Sequence, residues 1–365
     1  MEIHNKSIRV AIAGLGNCAS SLIEGLAFYY EHPKTQIGLL FPQLAGYAVQ
    51  DIQVVAAFDI SAQKVGKPIC EAIYASPNNF VRNPNVHVKN QAHVFRAPTL
   101  DGNPEHLARL VPESSEPPVD VASVLKNVQA DVLVNLLPTG SIQATEFYGE
   151  SALRAGCAFI NCIPTVYAQR TKVQNVFRAQ RLPLLGDDIK SQIGTTILHR
   201  ALLHLLEARG ATLHQTSQIN IGGNTDFVNF IYRAETKLVS KRKSLRRYLN
   251  NGNEFHVGHH FDPTKGPYKH ALIEIDSVVF ANSPVKISVK LESDDKPNSA
   301  GSIVDLIRIA QGARDRGMGG LVPEACAYYF KSQPVEMDDP IALALVRDNW
   351  ANETAVAIRD AQEQS

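Results

Sequence analysis

Ser7-Ile8-Arg9-Val10-Ala11-Ile12-Ala13-Gly14-Leu15-Gly16-Asn17-Cys18-Ala19 decides the fold. Its first seven residues are a nearly continuous, β-branched apolar run, the pattern of a strand buried on both faces. Gly14 to Ala19 then spells GxGxxA, and a helical pattern follows over residues 20–30. In such a unit the first glycine permits a tight turn and the second lets the backbone approach a pyrophosphate at the helix N-terminus. The small Ala19 lets helix and strand pack closely. GxGxxA alone is a weak signal; strand before and helix after give it weight.

Working outward, residues 31–50 form an insertion rich in Gly, Pro and polar residues, and a second buried strand at 54–58 ends in Asp59. A carboxylate at that strand tip can bind a ribose diol and repel a 2′-phosphate, which favours NAD over NADP. The other reading is a phosphate-free turn with Asp59 as a loop cap. Residues 77–117 are irregular and polar. A helix at 119–128, a strand at 131–137, a helix from Pro138 to Ala155 and a strand at 157–161 follow. Tyr148, two turns into that last helix, suits a core position as well as a cofactor contact. Repeated β-turn-α units predict an α/β fold, a Rossmann-like doubly wound parallel sheet.

An apolar run at 182–185 leads into Gly186-Asp187-Asp188-Ile189-Lys190-Ser191-Gln192-Ile193-Gly194, and a helix over 195–208 leads out. Two carboxylates, an ammonium and a hydroxyl crowd one strand-to-helix turn, at the end of the sheet where ligands bind. A capped helix start would use the same residues. Beyond it the style changes. Residues 213–221 alternate polar and apolar as in a half-exposed strand, 234–249 are helical and basic, and 270–280 with 285–291 suit an antiparallel pair. This is an inserted α+β unit. Helical patterns at 299–316 and 325–331 predict that the C-terminus returns to the first sheet. The expected division is a dinucleotide-binding domain at 1–194, a substrate and oligomerisation domain at 195–298, and C-terminal helices at 299–365 that complete the site.

The 365 residues carry 36 Lys+Arg against 36 Asp+Glu, so no basic footprint for nucleic acid is expected. No apolar run approaches a membrane span, and the polar N-terminus predicts no signal peptide. Five scattered cysteines without CxxC read as reduced thiols of a cytoplasmic protein. His256, His259 and His260 fall in a loop-like stretch without metal-ligand spacing, so no metal site is predicted.

Further motifs are Ala97-Pro98-Thr99-Leu100-Asp101-Gly102, Leu136-Leu137-Pro138-Thr139-Gly140-Ser141, Gly222-Gly223-Asn224-Thr225-Asp226-Phe227 and Pro297-Asn298-Ser299-Ala300-Gly301. With these, the glycine turn and the 186–192 stretch in order, the chain resembles the inositol-phosphate synthase family in its short bacterial form, over nearly its whole length. The resemblance implies bound NAD, a hexose phosphate substrate and a homotetramer. It also implies oxidation of glucose 6-phosphate at C5, enolisation, aldol closure onto C1 and re-reduction to 1D-myo-inositol 3-phosphate.

By the same resemblance Lys237 and Lys241, four apart and hence on one helical face, are catalytic with Lys331, Asp187, Asp188, Lys190 and Asp226. Asp305 is expected to orient one of these lysines. The implied cofactor contacts are Gly14, Gly16, Asn17, Cys18, Ala19, Asp59, Pro138, Tyr148, Asp188, Ser191, Asp226 and Lys237. Without the resemblance, Lys237 and Lys241 read as part of a solvated basic face with Arg242, Lys243, Arg246 and Arg247. An ungapped register would put Lys243 in the second lysine's place with Val239 as its partner, so the gapped register is adopted. Glu274 stands where the family places a basic, substrate-holding residue. An acidic group there, unless paired with Lys269 or turned away, motivates one alternative, a cyclase for another sugar phosphate such as fructose 6-phosphate; a second, a silent NAD-binding scaffold, requires Lys237, Lys241 or Lys331 to be dispensable.

Overall fold

The structure is a computed structural model and describes residues 6–223, 227 and 254–351. β1 (Ile8–Ala13) is buried along all but Arg9, as its apolar run requires, and Gly16 is the N-cap of α1 (Asn17–Glu31). The insertion is more than a loop. It holds a small hairpin, β2 (Gln43–Leu44) and β3 (Tyr47–Ala48), and buries Phe41, Leu44, Tyr47 and Val49. β4 (Ile52–Asp59) follows, and the irregular 77–117 stretch contributes a three-residue edge strand, β5 (Val94–Arg96), too short to show a period.

The next units are α2 (Val121–Asn127), β6 (Val132–Asn135), α3 (Ile142–Ala155), β7 (Ala158–Asn161), α4 (Thr171–Ala179) and β8 (Pro183–Gly186). β6, β7 and β8 are buried throughout. α5 (Thr195–Ala208) leads to a second sheet of β9 (Thr212–Gly222), β10 (Glu254–Phe261), β11 (Lys269–Val279) and β12 (Ser283–Ser293). The chain returns through the long α6 (Asp295–Asp315), β13 (Gly320–Leu321), α7 (Pro323–Tyr329) and α8 (Asp339–Val346).

The first sheet runs β13-β8-β7-β6-β1-β4-β5 with every pair parallel. From β5 inward this is the 3-2-1-4-5-6 order of doubly wound dinucleotide-binding sheets, extended by β13. One face packs on α1, α6 and the insertion, the other on α2, α3 and α4. Arg308 of α6 explains why the insertion lies down: fully buried, it donates from Nη1 to the Phe41 carbonyl at 2.9 Å and to those of Pro42 and Tyr47 at 3.3 Å.

The second sheet runs β10-β9-β11-β12, with β11 antiparallel to both neighbours. α5 covers it through Leu203 and Leu206 against Ile273 and Ile275. β10 corrects the expectation of a loop around His256, His259 and His260: these residues lie in a strand paired parallel to β9. Among the described residues no helix is long and apolar enough to cross a membrane.

Candidate active site

A cavity opens at the carboxyl ends of β1 and β6, where the strand order reverses, and runs on past the N-terminus of α5 to the second sheet. Gly14 has φ +89°, and a Cβ on it would stand 2.8 Å from the Leu136 carbonyl oxygen. Packing therefore demands this glycine. Gly16 is different: an added Cβ meets nothing within 4 Å, although the residue lines the cavity. Its missing side chain leaves room for a ligand beside the N-terminus of α1, which no side chain caps. These features fit a dinucleotide pyrophosphate.

Asn17, Cys18, Pro138 and Tyr148 line the same end, while Ala19 is wholly buried behind it. Asn17 donates to the Asn79 side chain at 3.0 Å and accepts from its backbone N–H at 2.7 Å, which ties down the loop over the turn. Tyr148 is both core and lining. It packs on Phe58, and burial with Asp59 nearby pushes its phenol above the usual range. Asp59 is more committed than a free diol-binding carboxylate. Its Oδ1 accepts from the Ile60 and Ser61 N–H groups at 2.8 and 2.9 Å, and its Oδ2 from Leu15 N–H at 3.0 Å. Lys64, at 3.4 Å from Oδ2, also reaches the Leu15 carbonyl at 2.8 Å. The Asp101 motif has a structural task, capping α3 through the N–H groups of Gln143 and Ala144, both at 2.9 Å.

The turn after β8 separates its two carboxylates. Asp187 is fully buried and does not line the cavity. It accepts from Asn161 Nδ2 at 2.7 Å and from the N–H groups of Tyr167 and Ala168 at 3.0 Å. Burial raises its carboxyl above the ordinary range, against those lowering hydrogen bonds. Against the expectation of a site residue, Asp187 fixes the loop after β7 and stands behind the cavity wall. Asp188 lines the cavity and accepts from Lys331 Nζ at 2.8 Å, and Lys331 also donates to the Ile189 carbonyl at 2.7 Å.

Lys190 touches the cavity but its ammonium is occupied, donating to the Ala327 and Tyr328 carbonyls at 2.9 Å and to Asp339 at 2.8 Å. Burial lowers it to about 8 against the pull of Asp339. It clamps the turn to α7 and α8 while lining the cavity. Ser191 is hydrogen-bonded to Ser299 at 3.1 Å at the cavity wall.

Asp305 of α6 binds Arg308 and accepts from Tyr329 Oη of α7 at 2.8 Å, while two of the lysines it is expected to orient, Lys237 and Lys241, lie outside the described residues. Burial raises its carboxyl, with Arg308 opposing. Glu274 alternates with the buried Ile273 and Ile275, so its side chain lies on the outer face of the sheet, where it accepts from Ser288 Oγ at 2.5 Å. The acidic group does not line the cavity, and the motive for a different sugar phosphate falls away. Asp226, Lys237 and Lys241 lie outside the described residues, as does Lys243.

Residues that sequence reasoning missed complete the far end: Lys269 and Lys296, with Thr195 and Thr196 at the start of α5 and Gln218 and Asn220 of β9. Among the described residues five lysines line the cavity, and each has an aspartate within 3.4 Å. The pairs are Lys64–Asp59, Lys190–Asp339 at 2.8 Å, Lys269–Asp295 at 2.5 Å, Lys296–Asp294 at 2.9 Å and Lys331–Asp188 at 2.8 Å. Burial pushes Asp295 up, but Lys269 and then Lys331 outweigh it and hold the carboxyl below the usual range. The Asp294–Lys296 and Asp59–Lys64 partners are close in sequence, and the other three pairs join distant stretches. No group of three or more His, Cys, Asp or Glu among the described residues is placed to hold a metal ion.

Fold and cavity together define a doubly wound, dinucleotide-type α/β protein whose site is shared between the parallel sheet and a second, mixed sheet. Residues 194–296 match the family model for myo-inositol-1-phosphate synthase. The chain is 42% identical to the inositol-3-phosphate synthase of Mycobacterium tuberculosis over 93% of its own length and 95% of that protein's. It is 40% identical to the enzyme of the same name from Corynebacterium glutamicum, over 92% of this chain and 96% of that one. The crystal structure of Ari2 superposes with a TM-score of 0.77 at 33% identity, covering 93% of this chain and 98% of that one. The chain belongs to the inositol-3-phosphate synthase family.

Proposed function

We propose that the protein is the NAD-dependent cyclase that converts glucose 6-phosphate to 1D-myo-inositol 3-phosphate. The observation that carries the reading is one continuous cavity, with the Gly14–Gly16 turn at one end and a lysine–aspartate cluster at the other. Its relatives' names and the outward-facing Glu274 favour this substrate over a fructose 6-phosphate alternative.

NAD, when bound, supplies the oxidation at C5 and the closing reduction. In our reading Gly16 and the N-terminus of α1 receive its pyrophosphate, Asp59 with Lys64 frames its ribose, and Tyr148 and Pro138 flank it. The substrate phosphate is assigned to the N-terminus of α5, whose N-cap Gly194 has no capping side chain. There Thr195 and Thr196 supply N–H donors, and Thr196 a hydroxyl, to a dianion at the positive end of the helix.

Negative charge then develops on oxygen during enolisation and again at the C1 carbonyl. Preorganised ammonium groups stabilise such charge in a site shielded from water. Lys331, oriented by Asp188, is assigned to one of these oxygens, with Lys269 beside it. The five lysines above each have an aspartate partner, Asp339 being shared with Arg200. By family likeness Lys237 and Lys241 add positive charge for the dianionic substrate, and Asp226 belongs to the same set of active-site residues. Residues 1–194 act as the cofactor unit, 195–298 as the substrate and oligomerisation unit of a homotetramer, and 299–365 close the site.

Incubation of the NAD-loaded protein with glucose 6-phosphate should give inositol phosphate with no net NADH. Absence of turnover in a folded, NAD-loaded sample, or faster conversion of fructose 6-phosphate, refutes the assignment.

A further inference from the structure

β9 wears its polarity inside out. Thr216, Gln218 and Asn220 are each 1% exposed, while the intervening Ile219 and Ile221 are half-buried on the other face. A one-residue slip would exchange the two sets, so this register is held against the ordinary hydrophobic preference. Polar side chains on an inward face need partners, and the partner here is His199 of α5, which is fully buried.

The hydrogen bonds fix the direction of both amides in the layer. Asn220 Nδ2 donates to the Gly258 carbonyl at 3.4 Å, which turns its Oδ1 toward Gln218 Nε2 at 3.2 Å and Thr195 Oγ1 at 3.4 Å. Gln218 therefore presents Oε1 to His199 Nδ1, 3.3 Å away. On the other side of the ring, Thr216 Oγ1 lies 2.7 Å from His199 Nε2 and 2.9 Å from the Glu274 carbonyl, and its one proton serves one of the two. Nδ1 faces an acceptor and is satisfied only as an N–H donor, while Nε2 pairs with the Thr216 hydroxyl in either role. Flipping the Gln218 amide to avoid this would set its oxygen against Asn220 Oδ1, and flipping Asn220 in turn would set oxygen against the Gly258 carbonyl.

We infer that His199 is a positioning residue that locks the amides of Gln218 and Asn220 into one orientation at the cavity wall, where they read the hydroxyl groups of the hexose phosphate. The inference rests on the proposed substrate class. Without the Nδ1–H donor the Gln218 amide can rotate, and each rotation exchanges a donor for an acceptor at the surface the sugar meets. A polyol, whose recognition consists of hydroxyl contacts, is the ligand most sensitive to that exchange.

Replacement of His199 separates its two nitrogens. Asparagine keeps a donor near the Nδ1 position and glutamine one near Nε2, while phenylalanine keeps neither. The NAD-loaded holoenzyme is titrated calorimetrically with glucitol 6-phosphate, and KM and kcat are measured with glucose 6-phosphate. His199→Asn should bind within about threefold of the parent, while His199→Gln and His199→Phe should weaken glucitol 6-phosphate and raise KM by about tenfold. In all three kcat should change less than KM, and NAD affinity should hold. Equal losses in the asparagine and glutamine variants, or parent-like binding by the phenylalanine variant, overturn the inference. If circular dichroism shows the ring variants unfolded, Gln218→Leu decides: about tenfold weaker binding supports it, and parent-like affinity overturns it. A parent that binds glucitol 6-phosphate but does not convert glucose 6-phosphate refutes the cyclase reading alone, and the calorimetry still judges His199. A parent that binds neither overturns both.

Discussion

Gly14 and Gly16 stand two residues apart, yet the structure gives their substitutions opposite consequences. At Gly14 the left-handed backbone, φ +89°, costs an L side chain about 1–2 kcal/mol. The Cβ would also stand 2.8 Å from the Leu136 carbonyl oxygen, which is backbone and cannot swing aside, adding overpacking of about 1–3 kcal/mol. Gly14→Ala should therefore lose about 2–5 kcal/mol of stability with no ligand present. Gly16 has φ −84° and ψ −163°, open to any residue, at an N-cap. Gly16→Ser places a better capping residue there, and stability should stay within about 0.5 kcal/mol of the parent. In the proposed mode its new atoms occupy the space of the pyrophosphate, at a cost in binding of about 1.4–2.8 kcal/mol, or roughly ten- to a hundredfold. The assay is chemical denaturation with and without NAD, beside calorimetric titration. At NAD a hundred times the parent's Kd, the parent gains about 2.7 kcal/mol. The serine variant at the same concentration should gain only about 0.4–1.4 kcal/mol. Parent-like NAD affinity in Gly16→Ser, or parent-like stability in Gly14→Ala, would refute the division of labour between the two glycines.

Asp188→Asn removes the charge opposite Lys331. Because that lysine is 15% exposed and keeps the Ile189 carbonyl, the stability cost should be about 1–3 kcal/mol, less than for a fully buried pair. Turnover should fall about a hundredfold, and unchanged kcat would return Asp188 to a purely structural task. Lys190 sits at about 8 in the fold against an ordinary 10.5. Between those values the unfolded chain binds more protons, so this group makes parental stability rise with pH, by up to about 1.4 kcal/mol per unit. Denaturation at several pH values across that window should show the rise diminished in Lys190→Met, and identical slopes would sink the clamp reading. Glu274→Gln should leave KM for glucose 6-phosphate within about twofold of the parent, since the side chain faces outward. A larger change would put Glu274 back in the site. Of the five cysteines, an aromatic disulfide reagent should label Cys18 and Cys70. Burial pushes Cys157 and Cys326 up to about 12 and raises Cys162, which keeps these thiols unreactive. NAD should protect Cys18, and labelling of Cys18 at an unchanged rate would place the cofactor elsewhere.

The parallel sheet was legible because strands buried on both faces must be continuous apolar runs, and β1, β4, β6 and β7 are such runs. α5 was legible to its bounds, since a clean period carries it between Gly194 and Arg209. β10 was not. Its His256, Gly258, His259 and His260 show no apolar alternation, and what makes it a strand is a backbone ladder to β9, formed across a gap of about forty residues. The insertion at 31–50 failed in a similar way. Its composition is that of a loop, and its order comes from the buried guanidinium of Arg308, more than 250 positions further along the chain.

The site was legible wherever the turn itself does the chemistry, as at Gly14, Gly16 and Asp188, and illegible wherever a side chain answers a distant one. Asp187 and Asp188 look alike in the chain but face opposite ways, one into the loop after β7 and one into the cavity. Lys269 and Lys296 gave no signal because a lysine in a strand or at a helix start is ordinary, and only their aspartates at the cavity wall distinguish them. That pairing also bears on the lysines that family likeness singled out. Two of the matching aspartates, Asp294 and Asp339, do not themselves line the cavity, and Asp339 is shared between Lys190 and Arg200. The N-terminus of α5 adds about half an elementary positive charge. Under the proposed substrate, Lys237 and Lys241 would add to this by family likeness alone. Matching such pairs at the cavity wall also keeps the lysines from repelling one another before the substrate arrives, so the cost of assembling the cluster is met in the fold rather than at the moment of binding.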